Sequence, residues 1–275
     1  MNSIAADTLL TPGYFSAADA DGALSRLISE AWELYANADG TACVVNPSAP
    51  ILFFGDLYRY RTSPCKIITV GLNPSRIEFP NPNRFTRFKA AEEIYPAITQ
   101  SNEPYAAYVD SLCNYFIDDP YRAWFGSLEP ILQGAASSYY PGQSNRALHT
   151  DLCSPLATDP TWSRLPAASR SRLKESGVNL WHRLIGYLEP DVVLISVAAE
   201  HLASIRFDYQ EWAPFHTVAK KAKPYIVKAA QLTISGEKRA SMYFGQAAQT
   251  PFGFLSTGEK QGLGTHIAEE YARGR

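Results

Sequence analysis

Cysteine is scarce in this sequence: there are four, Cys43, Cys65, Cys113 and Cys153, widely separated. No two form a C-x-x-C pair, and no histidine stands at metal-ligand spacing from them. That argues against a disulfide framework, a zinc site or an iron–sulfur cluster, and scattered reduced thiols are expected, with no metal and no cofactor. Long apolar runs are missing too: none approaches the roughly 20 residues that span a bilayer. The start, "MNSIAADTLLTPGYF", lacks the basic residues and apolar block of a signal peptide. A cytoplasmic protein with no membrane partner is therefore expected. Nor does the chain carry a P-loop, a G-x-G-x-x-G or a G-x-S-x-G motif, which removes the commonest nucleotide-binding and hydrolase alternatives. Charge is sparse and balanced, 25 Lys and Arg against 27 Asp and Glu. The balance announces no nucleic-acid partner and excludes none, because a local patch is what binds. Two basic clusters exist, Arg164, Arg170, Arg172 and Lys174, then Lys220, Lys221, Lys223 and Lys228; charge alone reads each as a solvated face.

What the chain does have is apolar and aromatic content. Of 275 residues 46% are hydrophobic, with 16 Tyr, 13 Phe and 5 Trp. That suffices for one large core, so residues 1–275 read as a single domain, with 1–60 a helical or irregular extension packed on it. Residues 22–38 carry apolar positions at helical spacing, and "ILFFG" (51–55) is a short strand candidate. "CKIITVG" (65–71) is a β-branched run typical of a strand buried on both faces. A helix is expected near 86–98, one long or two shorter helices across 104–138, a strand with a polar tip in "RALHTDLCSPL" (146–156), and a helix over 168–188. "VVLISVA" reads as strand, "AEHLASI" as helix, 224–248 as two strands around "SGEK", and 262–273 as a closing helix. Strands alternating with helices predict an α/β fold, three-layer α/β/α around a central, mostly parallel four-stranded sheet.

Ligands of open α/β sheets bind beyond the carboxyl ends of the strands. Three such ends here carry small or polar residues: Asn73-Pro74-Ser75, His149-Thr150-Asp151 and Gln246 to Thr250. Gly71 permits a tight turn or a close ligand approach. Asn73 carries an amide able to orient a water or a sugar, and Pro74 and Ser75 begin a loop whose free N–H groups suit a phosphate. Taken alone, "VGLNPS" reads equally well as plain strand-to-loop punctuation.

Two motifs together say more. "VGLNPS" resembles the first motif of the uracil-DNA glycosylase superfamily, whose branches carry GQDPYH, GINPG or GMNPG after the first core strand. "ALHTDLCSPL" resembles the base-reading strand of its single-strand-selective monofunctional branch, "VHNLCPL". The order of elements agrees over about residues 65–275. The resemblance implies a uracil-DNA-glycosylase-like fold and a monofunctional DNA glycosylase, with single- or double-stranded DNA as partner and a monomer. It places Asn73 where the family holds its attacking water while the glycosidic bond breaks through an oxocarbenium-like state. It puts Gly71, Leu72, Ser75, His149, Thr150 and Gln249 around the flipped base, and makes Phe79 or Phe85 the aromatic that stacks on it, with loop packing as the alternative for both. Pro74, Arg76, Ser154 and Thr250 become DNA contacts.

Two departures from the family matter. Where uracil-specific members place a Tyr that crowds C5 of the base, this chain has Ser75, which leaves a C5 substituent room. Where the family reads uracil with Asn, this chain has Asp151, the second catalytic candidate. An ionised carboxylate only accepts hydrogen bonds; it repels O4 of uracil and suits the exocyclic amine of cytosine, and a protonated one would donate to cytosine N3. The implied substrate is a C5-modified cytosine, such as the hydroxymethyl or glucosylated hydroxymethyl cytosine of some phage genomes, which points to antiviral defence. If Thr150 faces the pocket instead, uracil repair remains open. The third motif departs most: "FGQAAQTPFGFLSTG" lacks the family's His. Gln249 or Gln246 stands in for it, and Phe252, Phe254 and Leu255 form either a wedge for the gap left by a flipped base or packing for the last helix. That loss keeps a modified-base binder without activity, and an unrelated nucleoside enzyme, as alternatives.

Overall fold

Helix α1 (Gly22–Ala38) opens the part of the chain that the computed structural model describes, residues 22–38, 41, 43–94 and 104–274. Its buried Leu24, Leu27, Ile28, Ala31, Trp32 and Tyr35 fall on one helical face. A short α2 (Leu57–Thr62), N-capped by Asp56, leads into β1 (Ile67–Gly71), which is buried along its whole length, as a central strand must be. A 3₁₀ turn (Arg76–Glu78) and α3 (Lys89–Ile94) follow; residues 95–98 of the expected helix lie outside the described residues. Across 104–138, four short helices form in place of one or two: α4 (Pro104–Cys113), α5 (Tyr115–Asp118), α6 (Arg122–Phe125) and α7 (Glu129–Gly134). Pro120 stands between α5 and α6, and Pro130 lies in the first turn of α7, the one place a helix accepts proline.

Two-residue strands β2 (Ser137–Ser138) and β3 (Asn145–Arg146) pair with each other ahead of β4 (Leu148–Asp151). Then come α8 (Ala167–Leu188), β5 (Val192–Ile195), a 3₁₀ turn (Ala199–Ser204), β6 (Asp208–Tyr209), β7 (Ala213–Val218), β8 (Tyr225–Ser235), β9 (Lys238–Phe244) and α9 (Thr257–Arg273). α8 ends where Glu189 enters the left-handed region and its N–H bonds to Ile185. α9 begins five residues earlier than the sequence suggested. The cause is a capping box: Ser256 accepts from the Glu259 N–H while the Glu259 carboxylate accepts from the Ser256 N–H.

The fold is mixed α/β, and its central strands β4, β1, β5 and β9 run parallel in that spatial order. The sheet is nevertheless wider than the four strands expected. β8 returns antiparallel to β9 around Gly236, and β6 and β7 both pair with β8, which makes seven strands. β6 and β7 are largely exposed, and β7 carries Pro214 at a register shift. Edge strands with no buried face leave no apolar run to read. "ILFFG" is not a strand; its one ladder contact is an antiparallel bridge from Phe54 to His149.

One apolar core runs through the described residues from α1 to α9. α1 packs on α8, and α7 packs on α9. The second pair meets through glycine: a Cβ on Gly264 would stand 2.0 Å from the Ile131 carbonyl oxygen, and one on Gly134 would stand 2.1 Å from that of Gln261. Among the described residues no helix is long and apolar enough to cross a membrane, and no group of three or more His, Cys, Asp or Glu is placed to hold a metal ion.

Candidate active site

At the carboxyl ends of β1, β4 and β5 lies a cavity of about 460 Å³, within the roughly 300–1,000 Å³ of small-molecule sites. Eight of the residues singled out in the sequence line it: Gly71, Leu72, Asn73, Pro74, Ser75, His149, Asp151 and Gln249. The parallel register sets Thr69 beside His149 and Gly71 beside Asp151. Alternation then sends His149 and Asp151 to one face and Thr150 to the other. Thr150 accepts a hydrogen bond from Trp181 Nε1 at 3.1 Å, on the α8 side. The expected contact of Thr150 with a base is thus replaced by a core role, and His149 and Asp151 are the residues this strand offers to the cavity.

Asn73 is held by its nitrogen. Nδ2 donates to the carbonyls of Pro74 (2.7 Å) and Leu156 (3.2 Å) and to Thr158 Oγ1 (2.9 Å). Two carbonyl partners fix which amide atom is nitrogen. Oδ1, an acceptor only, is therefore the atom left to a water or ligand. The loop is fixed as firmly: Thr158 N–H donates to Pro74, Arg76 N–H donates to Thr158, and the N–H groups of Leu152 and Cys153 donate to the carbonyls of Gly71 and Leu72. Ser75 caps the 3₁₀ turn by accepting from the Ile77 N–H, so its small side chain is held at the cavity wall.

Asp151 and His149, two residues apart on one face of β4, lie side by side with Oδ1 and Nε2 3.6 Å apart, and both are buried. His149 Nδ1 meets Thr69 Oγ1 at 2.7 Å, and Thr69 Oγ1 meets the Tyr139 hydroxyl at 2.5 Å. Thr69 Oγ1 also lies 3.5 Å from the Leu148 carbonyl, a second acceptor for its hydrogen. Tyr139, Thr69 and His149 thus form one buried hydrogen-bonded chain that holds the imidazole in place, with Nε2 on the Asp151 side. The ring is clamped by Phe54 and Phe125, at centroid distances of 5.5 and 5.1 Å.

Gly71 is what lets this pair lie over β1. A Cβ there would stand 2.5 Å from Asp151 Oδ1, below any tolerable contact, and a tight 3.0 Å from His149 Nε2. Gly71→Ala is expected to displace both side chains and to cost about 1–3 kcal/mol of stability by overpacking. A denaturant titration reads the stability cost.

Several expected contacts fall elsewhere. Phe79 and Phe85 do not line the cavity; both are buried, in an aromatic cluster with Phe88. The aromatic wall comes instead from Phe54, Tyr121, Trp124, Phe125 and Trp162. Phe54 belongs to residues 1–60, for which the sequence suggested only packing. Ser154 is buried and accepts from the Leu156 N–H. Arg76 is exposed and sits 3.6 Å from Asp159. In the last loop, Phe252 and Leu255 are buried, with the Phe252 N–H bonded to Ser196 Oγ. Those two are packing, not wedge. Phe254 alone of the three is exposed, against the Tyr225 ring. Thr250 closes the turn through its carbonyl, which accepts from Ala248 and Gly253, and Gln249 stands exposed at the cavity rim.

One lining residue was passed over in the sequence. Glu78 is buried, and its Oε2 accepts a 2.6 Å hydrogen bond from the Tyr115 hydroxyl. Burial pushes its carboxyl up to about 7; Tyr115 and Arg87 oppose the rise, and the negative charges of Asp151 and Asp119 add to it.

No family model matches this chain, and no curated protein matches it.

Proposed function

We propose that the protein is a monofunctional DNA glycosylase of the uracil-DNA glycosylase plan, a three-layer α/β/α fold, that hydrolyses the N-glycosidic bond of a flipped C5-modified cytosine. The observation that carries the reading is the cavity itself. It joins an amide whose free oxygen is aimed by three hydrogen bonds, a carboxylate on the neighbouring strand and a small Ser75 on the wall, all at the carboxyl ends of parallel strands.

The chemistry follows from these groups. The pyrimidine enters the aromatic-walled cavity out of the stack. Asp151 accepts from the exocyclic amine, while Ser75 leaves the C5 substituent unopposed. Asn73 Oδ1 accepts from a water and holds it for C1′ as the C1′–N1 bond breaks. An amide is no strong base, so its contribution is position and dipole at a centre that becomes cationic. Hydroxymethyl and glucosylated hydroxymethyl cytosine are the C5-modified bases of some phage DNA, and removing them would serve antiviral defence.

The test is a panel of oligonucleotides, single- and double-stranded, carrying uracil, cytosine, 5-hydroxymethylcytosine or glucosylated 5-hydroxymethylcytosine, with released bases identified by mass spectrometry. Release of a modified cytosine is expected. Release of uracil alone would move the enzyme to uracil repair. The exposed Gln249 in place of the family's His favours a second reading, a binder of modified bases. It predicts tight binding to the same oligonucleotides with no base released.

A further inference from the structure

The geometry points to Glu78 as the general acid of this site, the group that protonates the base as it leaves. The inference rests on the glycosylase reading and adds the piece that reading lacks, because cytosine departs poorly as an anion and Asn73 has no proton to give.

The direction of the hydrogen bonds carries the argument. The backbone N–H of Tyr121 donates to the Tyr115 hydroxyl at 2.9 Å. The hydroxyl's own hydrogen is then free to go to Glu78 Oε2, 2.6 Å away. Oε2 is thus committed as an acceptor. A neutral Glu78 must carry its proton on Oε1, and no described residue hydrogen-bonds to that atom. Glu78 lines the cavity beside Ser75, Ile77 and Tyr121, in the same space as Asp151. A buried carboxylic acid on a cavity wall, with one oxygen tied back by a hydroxyl, keeps the other as its hydrogen-bond donor. Two carboxyl groups sharing a cavity divide the work: one stays an acceptor, the other keeps a proton.

The groups facing Glu78 explain why it holds the proton near neutrality. Burial raises its pKa most, and the charges of Asp151 on β4 and Asp119 beyond α5 raise it further; Tyr115 on α5 and Arg87, itself paired with Asp119, lower it. The result, about 7, suits proton transfer at neutral pH. In the step, Oε1–H passes its proton to N3 of the pyrimidine as the C1′–N1 electron pair moves into the ring. The base leaves neutral, and the water on Asn73 adds to C1′. That water's surplus proton returns to the Glu78 carboxylate through solvent, so Glu78 ends as it began.

Single-turnover release across the neutral pH range, from the panel base the wild type cleaves fastest, tests this in wild type, Glu78→Gln and Tyr115→Phe. Glu78 is a donor below about pH 7 and ionised above it. Wild-type release should therefore fall about tenfold per pH unit on the alkaline side. Glu78→Gln keeps shape and a donor but has no proton to transfer; its rate should drop about 10²-fold or more and lose the alkaline limb. Tyr115→Phe removes an interaction that lowers the Glu78 pKa, so its limb should move to higher pH, a shift a merely structural residue would not produce. Release by Glu78→Gln at the wild-type rate with the same limb would overturn the assignment and leave the glycosylase reading standing. An unmoved limb in Tyr115→Phe would overturn it even if Glu78→Gln fails to fold. No release by wild type from any panel member would sink the glycosylase reading, and the general acid with it.

Discussion

Asn73→Ala is expected, under the proposed glycosylase reading, to slow base release about 10²–10³-fold, the usual cost of removing one preorganised polar group from a transition state. Substrate binding should change little. The asymmetry follows from how the side chain is held. Nδ2 is spent on Pro74, Leu156 and Thr158, so the amide reaches a substrate complex only through Oδ1 and its water. That water matters when C1′ turns cationic, not when the base is bound. Alanine also frees three acceptors, the carbonyls of Pro74 and Leu156 and the Thr158 hydroxyl. A loss of about 1 kcal/mol per hydrogen bond is therefore expected in stability, readable by denaturant unfolding. Asn73→Asp separates the two effects. A carboxylate cannot donate to those acceptors, so the loop should loosen, yet it still accepts from water. Single-turnover rates for both variants, beside binding to a non-cleavable oligonucleotide, make the comparison. Equal rates in wild type and Asn73→Ala would remove Asn73 from the chemistry.

The parallel heart of the fold was legible because burial on both faces leaves a mark in sequence. "IITVG" and "VVLI" are apolar runs too short for helices, and they became β1 and β5. The long amphipathic helices α1 and α8 were equally plain. The exposed antiparallel edge was not, because β6 and β7 bury neither face and obey no alternation. The early start of α9 was written in Ser256 and Glu259, a capping signal that apolar periodicity overlooks.

The site divides along the same line. Asn73, Ser75, His149 and Asp151 sit at strand tips, where polar residues interrupt apolar runs, and so they stood out. The aromatic wall did not, because an aromatic residue reads alike whether it faces a cavity or a core. Phe79 and Phe85 lie close to the first motif in sequence, yet they turn into the core, while Trp124 and Trp162, remote in sequence, come to the wall. Glu78 was hidden for another reason. A Glu three residues after a Ser looks like an exposed helix-start carboxylate. Only the fold shows that the 3₁₀ turn carries it inward, under Tyr115, rather than back to its own cap.

Under the proposed glycosylase reading, Asp151→Asn is expected to invert the base preference, from modified cytosine toward uracil. The substitution is nearly isosteric, so the contacts over Gly71 survive and only the hydrogen-bonding pattern changes. A carboxylate can accept from an exocyclic amine and offers nothing to a carbonyl; a carboxamide offers both a donor and an acceptor. One such pairing discriminates by about 1–3 kcal/mol, or about 5- to 150-fold, and the inversion moves each base by that much in opposite directions. A second effect accompanies it. The charge of Asp151 is one of the influences that raise the Glu78 pKa, so an amide at 151 should let Glu78 ionise at lower pH and move the alkaline limb of base release toward acid. Reading the base and holding the proton would then be linked through one carboxylate. Competition between uracil and modified-cytosine oligonucleotides, run at several pH values on wild type and Asp151→Asn, measures both together. A variant that keeps the wild-type preference would show that another residue reads the base. A variant that changes preference with an unmoved limb would show that Asp151 reads the base without tuning Glu78.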